Sequence, residues 1–491
     1  MTDIDADPLT HFRPADGYVG DVIPFEHNGT VWLYYLLDER AGRLAGMPWA
    51  AVTTRDFVRF EDRGVVLPSG GRHSADFDCY TGSVVEDAGG TLHLFYTGHN
   101  PDIRTRDGDD QVVCHATSEG DPARWKKHPE WTFGAMPGHS AADWRDPFVF
   151  RPSDDSPWQM LLAARRADAP YRRSGTVARL FSDDLITWRT AEPLWDPHRF
   201  IAQECPDVFR WGEWWYLVYS EFSDSFQTRY RMARTPDGPW IAPEHDTVDG
   251  RAFYASKTVE LDGDRFFIGW IASKEGDRDD GAWQWAGTMA TLQAHQRADG
   301  SLRFMLPAAI VADHPFGAGG RSDLVDTLRP LDDADATPGT GAATRHSSWL
   351  GPVAPDKCVI IAEFDIQAGT HACGLLVRAS ADGETAYVLR LEPLRHRLVF
   401  DRWPRRRSGG EQWQIDGDVP HAVELERPVQ LPPGRHTVRV HLDRDILVAV
   451  VDDEVALSTR VYDLPDGRVG VFATDGEAEL TRLEVRTRDS R

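Results

Sequence analysis

Short apolar runs rich in aromatic residues recur through the first two-thirds of the chain, each after a turn that contains Gly, Asp or Asn. The five runs are Val31–Leu36, Leu92–Tyr96, Trp158–Leu162, Trp214–Tyr219 and Arg265–Trp270. Another apolar stretch precedes each turn, so every unit is predicted to open with a β-hairpin. Equivalent positions of successive runs lie 50 to 66 residues apart, a spacing typical of a four-stranded propeller blade with its loops.

A second repeat lies between these runs and combines a small hydroxyl residue, then Asp, then an aromatic residue. Its four copies are Thr54–Phe60, Ser118–Trp125, Ser182–Trp188 and Thr235–Trp240. We interpret each copy as a turn between outer strands, in which Asp caps the backbone and has no catalytic part. The two repeats predict a five-bladed β-propeller over residues 1–320. The alternative is a β-sandwich whose spacing is coincidental.

The pattern breaks where Gly and Asp become frequent, at Gly317–Gly320 and Asp332–Gly341. This composition is typical of a linker or long loop, which we assign to residues 321–345. Alternating apolar and polar positions return over residues 346–491, with the short-strand rhythm of a β-sandwich. The predicted fold is therefore all-β, with a propeller followed by a C-terminal β-sandwich that contains no catalytic-looking acid cluster.

Acidic residues stand at the start of strand-like runs in three of the predicted blades. Aligning the hairpins puts Asp21, Asp146 and Asp207 at equivalent strand heads facing the axis, with Glu204 in the entry loop and Thr81 in the second blade. A retaining glycosidase needs a nucleophilic carboxylate and a protonated acid about 5 to 5.5 Å apart. A third carboxylate can hold sugar hydroxyls, so the strand heads could supply all three groups.

Each of these acids also has a purely structural explanation. Asp21 could cap a turn after Gly20, Asp146 could pair with Arg145, and Glu204 could be a solvated loop residue. Each explanation is plausible for a single residue. The structural explanations are less convincing for the three acids taken together, because the acids recur on equivalent strands.

Composition excludes several classes of partner and cofactor. The net charge of -24 argues against nucleic acid and anionic membranes, which leaves a small carbohydrate as the expected partner; a homo-oligomer is compatible with the sequence. No CxxC pair or Cys/His cluster has zinc spacing, so we expect neither a metal nor a cofactor. An odd cysteine count of 5, no signal-peptide features and no long apolar stretch predict a cytoplasmic protein.

Two motifs resemble glycoside hydrolase family 32, which contains invertases, inulinases, levanases and fructosyltransferases. They are Trp144–Pro147, with its Arg-Asp-Pro, and Glu204–Asp207, with its Glu-Cys-Pro-Asp. Asp78–Ser83 and Trp285–Met289 are similar to two further segments of the family. The resemblance covers nearly the whole chain, and it implies the same order of propeller and β-sandwich.

The resemblance implies a role for each acid. Asp21 would be the nucleophile, Asp146 the transition-state stabiliser and Glu204 the acid/base, while Arg145 would help to grip the ring hydroxyls of a furanose. Cys205 would help to set the environment of Glu204, or is only a small buried hydrophobe. The other residues expected around the substrate are Trp49, Tyr80, Thr81, Tyr254 and Trp285.

Three departures from the family pattern bear on the substrate. Gly20, Leu36 and Ala51 stand where the family has Asn, Gln and His. A site that loses such hydrogen-bonding groups holds the terminal fructose less firmly. We therefore expect sucrose to be a poor substrate and a fructosyl oligosaccharide or a difructose anhydride to be preferred.

The leading hypothesis is a retaining, exo-acting β-fructofuranosidase with a covalent fructosyl-Asp21 intermediate, or a transferase that uses the same intermediate. A second keeps the fold but makes the protein an inverting arabinosidase or xylosidase of the family 43 type. A third is a sugar-binding protein without activity. The product anomer separates the first two, and turnover separates both from the third.

Overall fold

The structure is a computed structural model that describes residues 10–40, 45–105, 108–314, 324–331, 346–403 and 425–488. Strands and turns dominate these ranges, as the predicted all-β class requires. The helices are α1, Ala308–Ala312, and single 3-10 turns at Pro129–Trp131, Tyr171–Arg173, Glu275–Asp277, Val325–Thr327 and Pro393–Arg395. None of the helices in these ranges has the length and apolar character needed to cross a membrane.

The chain divides into two compact units. The first comprises Met1–Ile271 and Ala286–Leu302, and the second comprises Ala272–Trp285 and Arg303–Arg491. Most of the predicted linker, residues 321–345, lies outside the described residues.

The first unit is built from five successive groups of strands, the last of which also has residues in the second unit. They are β1 Tyr18–His27, β2 Thr30–Asp38, β3 Trp49–Thr54 and β4 Glu61–Leu67; β5 Asp78–Glu86, β6 Leu92–Thr105, β7 Gly108–Ser118 and β8 Lys126–Lys127; β9 His139–Phe150, β10 Trp158–Arg166, β11 Gly175–Ser182 and β12 Arg189–Thr190; β13 Glu204–Trp211, β14 Trp214–Glu221 and β15 Gln227–Ala233; and β16 Phe253–Leu261, β17 Asp264–Lys274, β18 Trp283–Gln296 and β19 Leu302–Met305. Each group opens with an antiparallel hairpin, as the sequence predicted.

The first strands of the five groups contact one another in cyclic order. Strand β1 contacts β5, β5 contacts β9, β9 contacts β13, β13 contacts β16, and β16 contacts β1. The first and last groups form one eight-stranded sheet, because β1 pairs with β18 through Val19 and Gly287. The other three groups form separate sheets. The number of propeller blades remains a prediction.

The apolar positions that defined the repeat are the centre of the fold. The equivalent residues of the five second strands are all fully buried: Leu33, Leu94, Met160, Leu217 and Phe267. Clusters of buried side chains join the first group to the second, the second to the third and the third to the fourth. Burial of these runs between neighbouring sheets explains why the period of the apolar pattern predicted the hairpins.

Two of the outer turns, at Asp56 and Asp184, show the backbone capping that the second repeat predicted. Asp56 accepts the backbone N–H groups of Val58 at 2.9 Å and Arg59 at 2.8 Å. Asp184 accepts those of Thr187 at 2.7 Å and Ile186 at 2.9 Å. These backbone donors lower the pKa of Asp184 to about 2. Asp56 and Asp184 are therefore structural caps, whereas Asp237 of the fourth copy accepts from the Arg179 side chain at 2.5 Å.

The second unit contains the remaining strands. They are β20 Arg329–Pro330, β21 His346–Ala354, β22 Lys357–Ile366, β23 Ala372–Ala379, β24 Ala386–Glu392, β25 Arg397–Trp403, β26 Leu425–Pro428, β27 Gly434–Asp443, β28 Ile446–Val451, β29 Val455–Arg460, β30 Gly467–Thr474 and β31 Ala478–Arg486. They form a seven-stranded sheet in the order β20-β21-β30-β23-β24-β25-β26 and a five-stranded sheet in the order β29-β28-β27-β22-β31. Two such sheets agree with the predicted β-sandwich.

Candidate active site

Each of the five first strands contains a β-bulge at a comparable position. The bulges lie at Gly20–Asp21, Thr81, Asp146–Pro147, Cys205–Pro206 and Ala255–Ser256. A bulge bends its strand and redirects a side chain. Asp21 is the second residue of the bulge in β1, and Asp146 is the first residue of the bulge in β9. Glu204 directly precedes the bulge in β13. Asp21 and Asp146 therefore lie at bulges inside their strands, which corrects their predicted position at strand heads. Glu204 is the first residue of β13 and does not lie in an entry loop as predicted.

Three of these bulges hold a non-glycine residue in the left-handed region of backbone conformation. The φ angles are 60° at Asp146, 50° at Cys205 and 53° at Ala255. Such conformations cost about 1–3 kcal/mol each and are concentrated at functional sites. The sequence contained no signal for them, because nothing local marks a residue other than glycine for positive φ.

Asp21 is surrounded by hydrogen-bond donors from three other strands. Its Oδ2 accepts the hydroxyl of Thr81 at 2.5 Å and the thiol of Cys205 at 3.5 Å. Its Oδ1 accepts the indole N–H of Trp270 at 2.9 Å. The carboxylate is thereby fixed in orientation by donors on β5, β13 and β17.

Asp146 is held through both its backbone and its side chain. Its backbone N–H donates to the Thr97 hydroxyl at 2.7 Å, and its Oδ2 accepts the backbone N–H of Cys205 at 2.9 Å. Cys205 thus donates to Asp146 with its backbone and to Asp21 with its thiol. The residue next to Glu204 therefore links the other two acids.

Glu204 lies between a cation and a phenol. Arg145 donates to its Oε1 at 3.0 Å, and the hydroxyl of Tyr254 donates to its Oε2 at 2.6 Å. A second arm of Arg145 donates to Asp143 at 2.7 Å. The side chain of Glu204 is 20% exposed, so a substrate oxygen can reach it.

The three carboxyl groups lie close enough to influence one another. Burial raises the pKa of Asp21, Asp146 and Glu204, and repulsion acts between each pair of them. Arg145 lowers the pKa of Asp146 and Glu204, and Thr81 lowers that of Asp21. The pKa of Glu204 is thus raised, as suits an acid that must be protonated before it acts, and the pKa values of both aspartates are raised as well.

The structure brings Thr81 and Tyr254 to the acids, whereas Tyr80 precedes Thr81 on β5 and its predicted contact with substrate remains untested. Thr81 is buried and hydrogen-bonds to Asp21. Tyr254 is only 3% exposed, and its hydroxyl is engaged by Glu204. Tyr80 is half-buried, and its ring stacks on that of His99 with the ring centroids 4.8 Å apart. Tyr254 therefore supports an acid, which corrects the predicted stacking against the substrate.

Trp49 does not lie where a sugar could stack on it. It is fully buried in the core cluster that also contains Leu36 and Ala51. Its indole N–H donates to the backbone carbonyls of Cys79 and Tyr80, each at 3.1 Å. The apolar neighbours that make it a core residue were invisible in the local sequence, so its predicted contact with substrate is corrected.

Trp285 has a different environment from Trp49. It is 37% exposed and lies in the segment of β18 that belongs to the second unit. Its predicted contact with substrate remains untested.

Asp207 is not equivalent to the other two aspartates. It follows its bulge directly, in the position that Val22, Phe148 and Lys257 occupy on their strands. It is buried, and its Oδ2 accepts the backbone N–H of Thr258 at 2.6 Å. The alignment from sequence was wrong here, because it did not reveal the bulges: Asp146, Asp21 and Asp207 occupy the first, second and third of three successive positions on their strands.

The structure also supplies functional neighbours that the sequence did not reveal. Trp270 belongs to a predicted strand and gave no sign of a polar contact, yet it donates to Asp21. Thr97 and Asp143 likewise hold Asp146 and Arg145. Within the described ranges, no group of 3 or more His, Cys, Asp or Glu side chains could hold a metal ion. Independence from metal remains a prediction.

Comparison with known families identifies the chain. The model for the glycosyl hydrolases family 32 N-terminal domain matches residues 11–302, and that for the glycosyl hydrolases family 32 C terminal matches residues 331–487. The chain belongs to glycoside hydrolase family 32. This family 32 protein is therefore an enzyme that hydrolyses O-glycosyl bonds, and the resemblance inferred from its motifs is confirmed.

Two curated relatives align along almost the whole of this family 32 enzyme. The raffinose invertase of Escherichia coli is 26% identical, over 96% of this chain and 93% of the relative. The sucrose-6-phosphate hydrolase of Escherichia coli is 27% identical, over 96% and 93%. The alignments therefore extend over both domains of the chain.

Solved structures of family 32 share the fold. Exo-inulinase from Aspergillus awamori superposes with a TM-score of 0.73 at 17% identity, covering 99% of this chain and 100% of its own. Fructan 1-exohydrolase IIa from Cichorium intybus gives a TM-score of 0.74 at 17% identity, covering 98% and 97%. At such identities the likeness establishes the fold and leaves the substrate open.

Proposed function

We propose that the enzyme releases terminal fructose from β-fructofuranosides with retention of configuration, and that its first unit is a five-bladed propeller. The cyclic contacts among the five first strands support the blade number. The observation that carries the activity is the cross-linked set of acids, in which Cys205 contacts Asp21 and Asp146 while Arg145 contacts Glu204.

Asp21 acts as the nucleophile in this proposal. Its oxygen attacks the anomeric carbon, the bond to the leaving oxygen breaks, and Glu204 gives that oxygen its proton. In the second step Glu204 takes a proton from water, whose oxygen displaces Asp21 and restores the free carboxylate. The donors around Asp21 leave it little rotational freedom, which favours attack from one direction.

Asp146 and Arg145 assist without forming a bond to the sugar. Asp146 supplies negative charge beside an oxocarbenium-like transition state, and its bulge holds it close to the other acids. Arg145 lies against Glu204 at 3.0 Å, where it balances the charge that appears when the acid loses its proton. The proposed grip of Asp146 and Arg145 on the ring hydroxyls follows from the same positions.

The preferred substrate is proposed to be a fructosyl oligosaccharide or a difructose anhydride rather than sucrose. Leu36 and Ala51 lie in the core with Trp49, so they no longer support this preference. Gly20 does, because it stands in the bulge beside Asp21 and has no side-chain amide to offer a hydroxyl. Transfer of the fructosyl group to a second sugar remains a variant of the same mechanism.

The proposal is tested by turnover of sucrose, raffinose, 1-kestose, inulin, levan, a difructose anhydride and an aryl arabinofuranoside, with the first-formed anomer followed by NMR. Release of fructose in the β configuration supports retention at Asp21. Release with inverted configuration, or activity only on aryl arabinofuranosides, would contradict it. Formation of longer oligosaccharides at high substrate concentration would identify transfer.

A further inference from the structure

The hairpin between β14 and β15 carries an aromatic ring that reaches the supports of two acids. The ring of Phe226 stacks on Tyr254, with centroids 3.9 Å apart and planes inclined by 13°. It also meets the edge of Trp270, with centroids 6.3 Å apart and planes inclined by 64°. Tyr254 and Trp270 are the side chains that donate to Glu204 and Asp21.

We infer that Phe226 is a positioning residue, which holds the Tyr254 hydroxyl on the acid/base and the Trp270 indole on the nucleophile. The inference rests on the proposed function, since it gives Phe226 a role only if Glu204 and Asp21 perform the chemistry. Phe226 acts through other side chains and has no bond to make or break.

A buried carboxylate holds the hairpin between β14 and β15 in place. Glu221 is fully buried and accepts the backbone N–H groups of Asp224 at 3.1 Å and Ser225 at 3.2 Å. It also accepts the Ser225 hydroxyl, and the Arg229 guanidinium lies 3.6 Å from it. A buried charge that is satisfied in this way resists displacement, because moving the hairpin would leave it unpaired.

Two further features fix the position of Phe226. Its φ of 47° is left-handed, a conformation that persists in a residue other than glycine only where surrounding contacts enforce it. The Ser223 hydroxyl accepts the backbone N–H of Ile201 at 3.3 Å. The hairpin is thereby tied to the segment that leads into Glu204.

The orientation of Tyr254 matters because its hydroxyl can both donate and accept. When Glu204 is ionised, the phenol donates to it at 2.6 Å. When Glu204 is protonated, its own O–H can donate to the phenol oxygen. Arg145 only donates, so Tyr254 is the partner that suits both protonation states of an acid/base. Phe226 on one face and Trp270 at 5.6 Å hold this ring in place.

Loss of the Phe226 ring should therefore change a titration as well as a rate. The hydrogen bond from Tyr254 lowers the pKa of Glu204, so loosening it raises that pKa. Because the acid must be protonated, the basic limb of the pH profile moves to higher pH. Misplacement of the acid also lowers kcat, by about ten- to a hundredfold, with a smaller change in KM.

The test compares kcat and KM for 1-kestose across about pH 4 to 9 in the wild type, Phe226→Ala, Phe226→Leu, Tyr254→Phe and the double variant Phe226→Ala/Tyr254→Phe. If 1-kestose is a poor substrate, the best one from the panel above is used. The matched control is Phe222→Ala, which removes a 41% exposed ring from the same hairpin and should leave the profile unchanged. Phe226→Tyr keeps a flat ring and should retain the wild-type profile.

The expected result is an upward shift of the basic limb in Phe226→Ala, Phe226→Leu and Tyr254→Phe, with no further shift in the double variant, because both changes remove one interaction. The inference would be overturned if the Phe226 variants kept the wild-type pH profile and if the losses of kcat in Phe226→Ala and Tyr254→Phe simply added in the double variant. Phe226→Leu serves if Phe226→Ala does not fold. A fully active Glu204→Gln would instead refute the proposed function itself.

Discussion

The indole nitrogen of Trp270 lies 2.9 Å from Oδ1 of Asp21, across 249 positions of sequence. Trp270 is on β17 and Asp21 on β1, and the two strands belong to the eight-stranded sheet that joins the last group to the first. The candidate nucleophile is thus oriented by a residue that can reach it only after this sheet has formed. The orientation of Asp21 therefore depends on formation of this sheet.

Removing the indole donor should impair ionisation of Asp21. The N–H group of Trp270 lowers the pKa of Asp21 against the effect of burial, so Trp270→Phe should raise it. Because the nucleophile must be ionised, the acidic limb of kcat/KM against pH moves to higher pH. A hydrogen bond to a charged group contributes about 1.5–3 kcal/mol, so we expect kcat/KM to fall about ten- to a hundredfold.

Thr81→Val should shift the same limb in the same direction, since it removes the other strong donor to Asp21. Trp349→Phe is the control for lost volume, because Trp349 is fully buried in the second unit. An unshifted acidic limb in both Trp270→Phe and Thr81→Val would show that these donors do not govern Asp21.

Asp21→Asn and Glu204→Gln should each reduce turnover by several orders of magnitude while the fold persists. Loss of the nucleophile prevents the covalent intermediate, and loss of the acid leaves the leaving oxygen unprotonated. Steady-state kinetics and circular dichroism check activity and fold. Asp154→Asn, at a side chain that is 95% exposed, should have no effect. Near-normal kcat in Asp21→Asn would disprove the assignment of the nucleophile.

The sequence predicted the parts of this enzyme that repeat. Each blade-like group buries an aromatic or aliphatic run such as the one around Leu217, and a regular period of buried positions is visible along a chain. The capping residues Asp56 and Asp184 were also visible, because they bind backbone groups only two or three positions away. Family resemblance then predicted a role for each of the three acids without any knowledge of their contacts.

Contacts between distant segments could not be predicted in this way. The β-bulges change the register of each first strand, so alignment by acids misplaced Asp207. Whether an aromatic ring such as Trp49 lies in the core or against substrate depends on which strands become its neighbours. The stacking of Phe226 on Tyr254 belongs to the same class, since two strand groups must meet before it exists.

Exhaustive chelation should leave activity unchanged. The proposed chemistry uses only carboxyl groups and water, so no step requires a Lewis acid. The measurement is the rate with the best substrate before and after dialysis against a strong chelator. Loss of activity that a single divalent ion restores would contradict the expectation, whereas an equal effect of all ions would indicate stabilisation of the fold.

Buried histidines on the second strand group should make the fold less stable in acid. His93 Nδ1 and His115 Nε2 are 3.0 Å apart, and burial lowers the pKa of His115 to about 3 and that of His93 below its usual value. An unfolded histidine titrates near about 6.5. Below that pH the unfolded chain binds protons that the folded chain does not, so stability falls as pH decreases towards the folded pKa.

For His115 the loss of stability occurs between about pH 6.5 and pH 3, at up to about 1.4 kcal/mol per pH unit. His93 contributes in the same direction between about pH 6.5 and its own lowered pKa. Urea unfolding at several pH values should show a shallower loss of stability in His115→Gln than in the wild type. His198→Gln, at a side chain that is 65% exposed, is the matched control. Equal pH dependence in the wild type and His115→Gln would exclude this origin.

Gly20→Asn should improve the use of sucrose relative to larger fructosides. Gly20 lies in the bulge beside Asp21, and it is not among the glycines with positive φ, so its backbone suits a side chain. An amide at this position would add one hydrogen bond to a substrate hydroxyl, worth about 0.5–1.5 kcal/mol. The ratio of kcat/KM for sucrose to that for 1-kestose should then rise about two- to tenfold.

Gly20→Ala adds a side chain without the amide and should not raise the ratio. If sucrose is already the best substrate of the wild type, the proposed preference for larger fructosides is wrong, since Gly20 would then impose no measurable loss.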